Sequence, residues 1–117
     1  MKITIDIDGT ISELKKIGQT YATVRPNIGA IEKIKELKAA GHYIVLQTGR
    51  HMKTTGGNEG QVIAKIGKTT LDWLAEYEIP YDEIYFGKPY TDIYLDDRAH
   101  TFTDWNGIKR TIWMTKK

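Results

Sequence analysis

The segment Lys2-Ile-Thr-Ile-Asp-Ile-Asp-Gly-Thr10 decides the fold and points to the functional site. Its three isoleucines alternate with polar residues, which is the two-residue period of a β-strand. The strand runs into Asp6 and Asp8, whose carboxylates are two residues apart and point to the same side. Two adjacent carboxylates resist ionising together unless a cation lies between them. The segment therefore predicts a strand that ends in an acidic site suited to a nucleophile, a proton carrier and a divalent metal.

The composition is that of an ordinary globular domain. The 117 residues are 40% hydrophobic and 27% charged, which fits a single domain covering residues 1–117. A net charge of +2 gives no strong attraction to nucleic acid or to an anionic membrane. The absence of cysteine excludes disulfides, thiolate metal sites and cysteine nucleophiles. No apolar run approaches the roughly 18 residues that span a bilayer, so we expect a cytoplasmic protein with no membrane partner.

Strands and helices are predicted to alternate along the chain. Strands are expected at residues 2–7, 42–47, 83–86, 92–95 and 110–114. A helix is expected after the start signal Arg25-Pro26-Asn27, with a core-facing stripe made of Ile28, Ile31, Ile34 and Leu37 and an end at Gly41. A second helix is expected at 69–77, with a core face made of Leu71, Leu74 and Ala75. This alternation indicates an α/β fold with a mostly parallel sheet.

Two connecting segments stand out. Five residues separate Phe86 from Asp92, whereas a parallel crossover needs about a dozen. Residues 83–86 are therefore expected to form an edge, antiparallel or merely extended segment. Residues 51–60 are rich in glycine and are predicted to form a mobile loop.

Polar clusters follow four of the predicted extended segments. They are Asp6-x-Asp8, then Thr48-Gly49-Arg50, then Lys88, and finally Asp96-Asp97. Each has an ordinary structural explanation when taken alone, such as a turn, a surface lysine or a helix cap. Ligands of open α/β sheets bind at the carboxyl ends of the strands, however, and all four clusters are predicted at that edge. Together they form a set that can hold Mg²⁺ and bind a phosphate.

The order of these clusters resembles the motifs of the haloacid dehalogenase (HAD) superfamily. The first motif, Asp-x-Asp-x-Thr after an apolar strand, matches Asp6-Ile-Asp8-Gly-Thr10. The second is a strand-ending Thr48, the third is Lys88-Pro89 and the fourth is Asp96-Asp97. The resemblance covers nearly the whole chain and is nearest to small capsule-biosynthesis phosphatases and to the phosphatase half of phage polynucleotide kinase–phosphatases. It implies a three-layer Rossmann-like fold.

The resemblance also implies a role for each motif. Asp6 would attack phosphorus and form an aspartyl phosphate, and Asp8 would protonate the leaving group and later activate water. Thr48 and Lys88 would bind the phosphate oxygens. Mg²⁺ would be held by Asp6, by the backbone carbonyl of Asp8 and by the fourth motif, with Asp97 as the direct ligand and Asp96 behind it.

Four further residues are predicted to contact the substrate: Gly9, Thr10, Gly49 and Arg50. Backbone amides beside the two glycines are suited to an anion, and Arg50 borders the predicted crevice. The tyrosines at 81, 85, 90 and 94 are expected to pack around the short extended segment rather than to stack on a ligand. The tryptophans at 73, 105 and 113 are expected to anchor the core.

Many HAD proteins carry a cap domain in one of two segments, which correspond here to residues 11–25 and 51–87. The first is too short for a domain, and the second is largely taken up by a predicted helix and its connections, so no cap is expected. The expected activity is Mg²⁺-dependent hydrolysis of a small phosphorylated substrate, either a sugar phosphate or a nucleotide-like compound. A nucleic-acid end phosphatase is an alternative because an uncapped site admits large substrates, although the near-neutral charge argues against it. A non-catalytic phosphate-binding module is a further alternative, and oligomerisation is left open.

Overall fold

The computed structural model describes residues 1–108. In chain order the elements are β1 (Lys2–Asp6), α1 (Ala30–Ala39), β2 (Tyr43–Thr48), α2 (Glu59–Val62), a π-helical turn (Ile63–Gly67), α3 (Lys68–Glu76) and β3 (Glu83–Phe86). The strand predicted at 110–114, together with Trp113, lies outside the described residues.

The three strands form one parallel sheet in the order β1-β2-β3. The α/β prediction is confirmed. β3 lies at an edge of this sheet, as expected, but it runs parallel to β2, so the antiparallel alternative is wrong. The physical reason is the connection that precedes β3. It contains the helical segment 59–76, which is long enough for a parallel crossover.

Within residues 1–108, an apolar core joins one face of the sheet to α1 and α3. Its strand members are every second residue of β1 and β2, although in β2 the residue between them is the buried Val45. Its helical members recur at three- and four-residue spacing. The members include Ile5, Ile44, Leu46, Ile34, Leu37, Trp73 and Leu74. The Nε1 group of Trp73 donates to the carbonyl of Val24 at 2.8 Å, and that of Trp105 donates to the carbonyl of Thr10 at 2.9 Å. Both tryptophans therefore anchor the core, as predicted.

The start of α1 differs from its prediction. Gly29, with φ of 87°, precedes the helix, and Asn27 does not cap it. The Nδ2 group of Asn27 instead donates to the carbonyls of Thr10 and Ser12 at 3.0 and 3.2 Å. These two bonds fix the conformation of the loop after β1. Ile28 is 91% exposed and does not belong to the apolar stripe. The long-range bonds of Asn27 override the local capping preference, which a sequence pattern cannot reveal.

The second helical segment begins ten residues earlier than predicted, at Glu59. The side chain of Asn58 accepts from the amide of Gln61 at 2.9 Å, so this cap starts a helix inside the glycine-rich segment. The predicted core face is also wrong in part, because Leu71 and Ala75 are exposed. The face that turns inward carries Thr70, Trp73 and Leu74.

The strand predicted at 92–95 is not formed. Residues 91–100 are exposed, and the apolar side chains of Ile93 and Leu95 pack against no part of the core. The hydroxyl of Tyr94 donates to the carbonyl of Pro89, so the segment folds back on itself instead of extending along the sheet. Asp96 and Asp97 therefore do not follow a strand.

The two segments where HAD proteins carry a cap are short here, as predicted. Residues 11–25 form turns, and residues 51–87 are used by loops, the helical segment and β3. Among the helices of residues 1–108, none combines the length and the apolar character that crossing a bilayer requires.

The corrected inward face of α3 predicts unequal effects of one substitution at two leucines. Leu74 is 1% exposed and Leu71 is 41% exposed. Leu74→Ala should lower the free energy of unfolding by about 2–5 kcal/mol because it opens a cavity in the core. Leu71→Ala should cost less than about 1 kcal/mol. Urea unfolding of both variants measures the difference, and equal losses would contradict this orientation of α3.

Candidate active site

A cleft of about 220 Å³ opens where the strands of the sheet end. Its walls come from the segments that follow β1, β2 and β3 and from the turn-rich segment near residue 21. The lining residues are Asp6, Asp8, Tyr21, Gly49, Arg50, Lys88, Pro89, Tyr90, Thr91 and Tyr94. Five of the predicted site residues thus meet in one cleft, and a sixth, Thr48, is hydrogen-bonded to its wall.

Asp6 and Lys88 face each other across this cleft. The Nζ atom of Lys88 lies 3.4 Å from Oδ1 of Asp6, and both side chains are about three-quarters buried. Burial raises the pKa of Asp6, the positive charge of Lys88 lowers it, and the negative charge of Asp8 raises it again. The net direction is upward, so the ionised form of Asp6 depends on positive charge placed beside it.

Backbone contacts fix the position of Lys88. The amides of Gly87 and Lys88 both donate to the carbonyl of Thr48 at 3.1 Å. A Cβ atom on Gly49 would lie only 2.9 Å from the carbonyl oxygen of Lys88, so a larger residue would push the two segments apart. Gly87 has φ of 114°, which glycine adopts without strain. The glycines therefore allow the close approach that places Lys88 beside Asp6.

Both oxygens of Asp8 accept a hydrogen bond. The hydroxyl of Thr48 donates to Oδ2 at 2.6 Å, and Nε of Arg50 donates to Oδ1 at 2.8 Å. The side chain of Arg50 is fully buried, whereas that of Asp8 remains about one-quarter exposed to the cleft. Arg50 was predicted as a substrate contact, and the structure shows it as the ion-pair partner of Asp8.

The guanidinium of Arg50 is enclosed on several sides. Its Nη1 atom donates to the hydroxyl of Thr70 at 3.1 Å, and its Cζ atom lies 4.3 Å from the ring centroid of Tyr21. Burial raises the pKa of Tyr21, as does the charge of Asp8, while Arg50 opposes the shift, so the ring stays a neutral phenol. Neither Thr70 nor Tyr21 belongs to a recognisable motif, and only the tertiary structure reveals them.

Gly9 and Thr10 are not brought into the cleft. The amide of Gly9 donates to the carbonyl of Ser12 at 2.8 Å, and that of Thr10 donates to the carbonyl of Ile7 at 3.2 Å. Gly9 has φ of 82°, which makes the tight turn that brings Asp8 beside the cleft. These residues shape the loop, and their amides are used within it.

Asp96 and Asp97 also lie away from the cleft. Both are exposed, and Oδ1 of Asp96 accepts from the amide of Arg98 at 2.7 Å in a local turn. Within residues 1–108 no three side chains of His, Cys, Asp or Glu are close enough to hold a metal ion. The described structure therefore provides two carboxylates in the cleft, and a third ligand from the fourth motif stays a prediction.

Aromatic rings surround the mouth of the cleft. Tyr90 and Tyr94 are 70% and 49% exposed, so the expectation that they pack against the extended segment is wrong, as it is for the exposed Tyr85. Tyr81 does pack against the core. The Nζ atom of Lys88 lies 4.7 Å from the ring centroid of Tyr94, and that of Lys53 lies 5.3 Å from the centroid of Tyr90.

Comparison with models of protein families finds no match, and comparison with curated proteins finds none either. Solved structures do match. A protein of known crystal structure from Vibrio cholerae is 35% identical, with a TM-score of 0.77 over 85% of this chain and 81% of that one. A chain of the Pnkp1/Rnl/Hen1 complex is 26% identical, with a TM-score of 0.54 over 83% of this chain. A chain from a structure of the Pnkp1/Rnl/Hen1 RNA repair complex is 22% identical, with a TM-score of 0.53 over 93% of this chain.

A more distant match is D,D-heptose 1,7-bisphosphate phosphatase from B. bronchiseptica, complexed with magnesium and phosphate. It is 20% identical, with a TM-score of 0.50 over 73% of this chain, and it supports the fold alone. This chain spans 31% of the first Pnkp1/Rnl/Hen1 chain and 48% of the heptose phosphatase. With its parallel sheet, its uncapped cleft and the residues of the first three motifs gathered there, the chain has the fold of the haloacid dehalogenase phosphatases.

Proposed function

We propose that this protein hydrolyses phosphate monoesters through a covalent aspartyl phosphate on Asp6, with Mg²⁺ as its cofactor. The observation that supports the proposal most is the meeting of Asp6, Asp8 and Lys88 in one open cleft. The carboxylate of Asp6 is the nucleophile, because it lies in the cleft with a cationic partner that favours its ionised form.

The reaction has two steps. An oxygen of Asp6 forms a bond to phosphorus, the bond from phosphorus to the ester oxygen breaks, and Asp8 gives its proton to the departing alcohol. Asp8 then takes a proton from water, the water oxygen attacks the aspartyl phosphate, and the carboxylate of Asp6 is regenerated with release of phosphate. Lys88 stabilises charge on the phosphoryl oxygens. The hydroxyl of Thr48, which lies 2.6 Å from Oδ2 of Asp8, is proposed to bind a phosphoryl oxygen as well.

The two carboxylates fit a magnesium ion. Mg²⁺ prefers oxygen ligands, and burial together with the nearby charge of Asp8 raises the pKa of Asp6, so a cation in the cleft would stabilise the ionised carboxylates. Asp6 and the backbone carbonyl of Asp8 would hold the ion, which would neutralise the phosphate and align the displacement. Asp97 would contribute the remaining protein ligand with Asp96 behind it, which requires the segment 92–97 to approach the cleft.

The substrate is proposed to be a sugar phosphate or a nucleotide-like compound. Tyr90 and Tyr94 favour the nucleotide-like class, because exposed rings beside a phosphate site can stack on a base. Lys53 and Lys88 add positive charge next to those rings. The uncapped cleft also admits a nucleic-acid end, which is the second candidate and agrees with the likeness to a chain of an RNA repair complex.

Asp6→Asn should remove catalysis while it preserves the fold, because the amide is nearly isosteric but cannot serve as the anionic nucleophile. We expect hydrolysis of 4-nitrophenyl phosphate to fall at least about 10³-fold. Asp72→Asn, at an exposed aspartate of α3, is the matched control and should retain full activity. Substantial activity in Asp6→Asn would exclude the covalent route, and an inactive wild type would favour the phosphate-binding module.

Magnesium dependence is tested by titration after chelation. The EDTA-treated protein should be inactive and should recover as Mg²⁺ is added. Asp97→Ala should raise the Mg²⁺ concentration for half-maximal activity by about tenfold or more, because losing one carboxylate ligand weakens a site built from few protein oxygens. Asp96→Ala should raise it less. The reverse order would overturn the ligand assignment, and full activity in EDTA would overturn the cofactor.

The substrate class is tested by removing a ring at the mouth. Tyr90→Ala should raise KM for a 3′-phosphorylated dinucleotide by about tenfold, because stacking contributes roughly 1–3 kcal/mol per base. KM for a hexose phosphate should stay unchanged. Tyr85→Ala is the matched control, since Tyr85 is also exposed but does not line the cleft. A parallel rise for both substrates in Tyr90→Ala would show that the ring supports the cleft and does not select the substrate.

A further inference from the structure

Thr70 is a buried polar side chain beneath the cleft. It is fully buried on the inward face of α3, among apolar neighbours such as Trp73 and Leu74. Polar groups in such places usually have a hydrogen-bond partner. The hydroxyl of Thr70 accepts from Nη1 of Arg50 at 3.1 Å, in a contact that links the helix to the segment after β2.

This contact continues into the proposed acid–base residue. Arg50 is 2% exposed, and its Nε atom donates to Oδ1 of Asp8 at 2.8 Å. The guanidinium is planar, so a partner that holds Nη1 also sets the direction of Nε. The ring of Tyr21 covers the same guanidinium at 4.3 Å from its Cζ atom. Thr70 is thus the side-chain partner, on a separate element, that orients the hydrogen bond from Arg50 to Asp8.

We propose that Thr70 is a positioning residue for the proton transfer performed by Asp8, acting through Arg50. The inference rests on the proposed phosphatase function. Nε of Arg50 can only donate, so Oδ1 of Asp8 stays an acceptor and the proton that Asp8 carries resides on Oδ2. The hydroxyl of Thr48 beside Oδ2 can turn to accept that proton, because a hydroxyl both donates and accepts. Thr70 and Arg50 together determine which oxygen delivers the proton and in which direction.

The helical segment explains how Thr70 reaches this place. The π-helical turn Ile63–Gly67 immediately precedes α3 and holds one more residue per hydrogen-bonded turn than an α-helix does. That extra residue changes which side chains of α3 face the core. A Cβ atom on Gly67 would lie 3.2 Å from Cγ2 of Ile63, so this glycine relieves crowding where the turn ends. Such turns often occur at functional sites, and here the turn leads directly to Thr70.

Proton delivery matters most when the leaving group is poor. Phenolate leaves less readily than 4-nitrophenolate, so phenyl phosphate needs the acid more than 4-nitrophenyl phosphate does. A misplaced Asp8 should therefore affect the two substrates unequally. A change that merely reduces the amount of folded enzyme lowers both rates by the same factor. The ratio of the two rates therefore changes only when the placement of Asp8 changes.

The experiment measures kcat and KM on both substrates for Thr70→Val and Thr70→Ser. Thr70→Val keeps the shape without the acceptor oxygen, and we expect kcat to fall about tenfold on phenyl phosphate but only about twofold on 4-nitrophenyl phosphate, with KM nearly constant. Thr70→Ser restores the hydroxyl and should restore the wild-type ratio of rates. Thr69→Val, at the neighbouring half-buried threonine, is the matched control and should leave the ratio unchanged.

A second variant keeps the test decisive if Thr70→Val does not fold. Arg50→Lys retains the positive charge but lacks the planar fork that joins Thr70 to Asp8, so it should show the same selective loss. Equal losses on both substrates in either variant would overturn the positioning role while the phosphatase function stands. A wild-type protein inactive on both substrates would instead overturn the proposed function, and this inference with it.

Discussion

Repulsion between Asp6 and Asp8 is the constraint on which the rest of the site depends. Both carboxylates lie in one partly buried cleft, where water screens their charges less than it does at the surface. Burial raises the pKa of Asp6, and the charge of Asp8 raises it further against the opposing charge of Lys88. Each carboxylate has its own cationic partner, Lys88 for Asp6 and Arg50 for Asp8, and each partner comes from a different part of the chain.

These two cationic partners suit different tasks. Lys88 lies in the cleft and is about one-quarter exposed, so its ammonium is accessible to a ligand there. Arg50 lies in the wall of the cleft, where its side chain is fully buried and is held by Thr70 and Tyr21. A mobile ammonium suits binding and charge neutralisation, whereas a fixed planar guanidinium suits orientation. The arrangement gives Asp6 and Asp8 different surroundings although only one residue separates them in the chain.

The sequence predicted the parts that depend on local pattern. Alternating isoleucines in residues 2–7 and the apolar run at 42–47 identified β1 and β2, and the parallel sheet followed from their connection. The convergence of Asp6, Asp8, Thr48 and Lys88 followed from the rule that parallel strands end at one edge. Errors arose where distant contacts override local preference. Asn27 was expected to cap α1, but it bonds to the loop after β1.

The chemical identity of the site residues was determined by the sequence alone, because motif order and strand ends are properties of the chain. Their partnerships were decided by the tertiary structure. Arg50 pairs with Asp8 across 42 positions and with Thr70 across 20, and no short-range pattern encodes contacts at that separation. The exposed rings at 90 and 94 were likewise decided by packing, because their segment forms no strand and lies at the mouth of the cleft. Local periodicity fixes which elements form, whereas the way those elements pack decides which side chains meet.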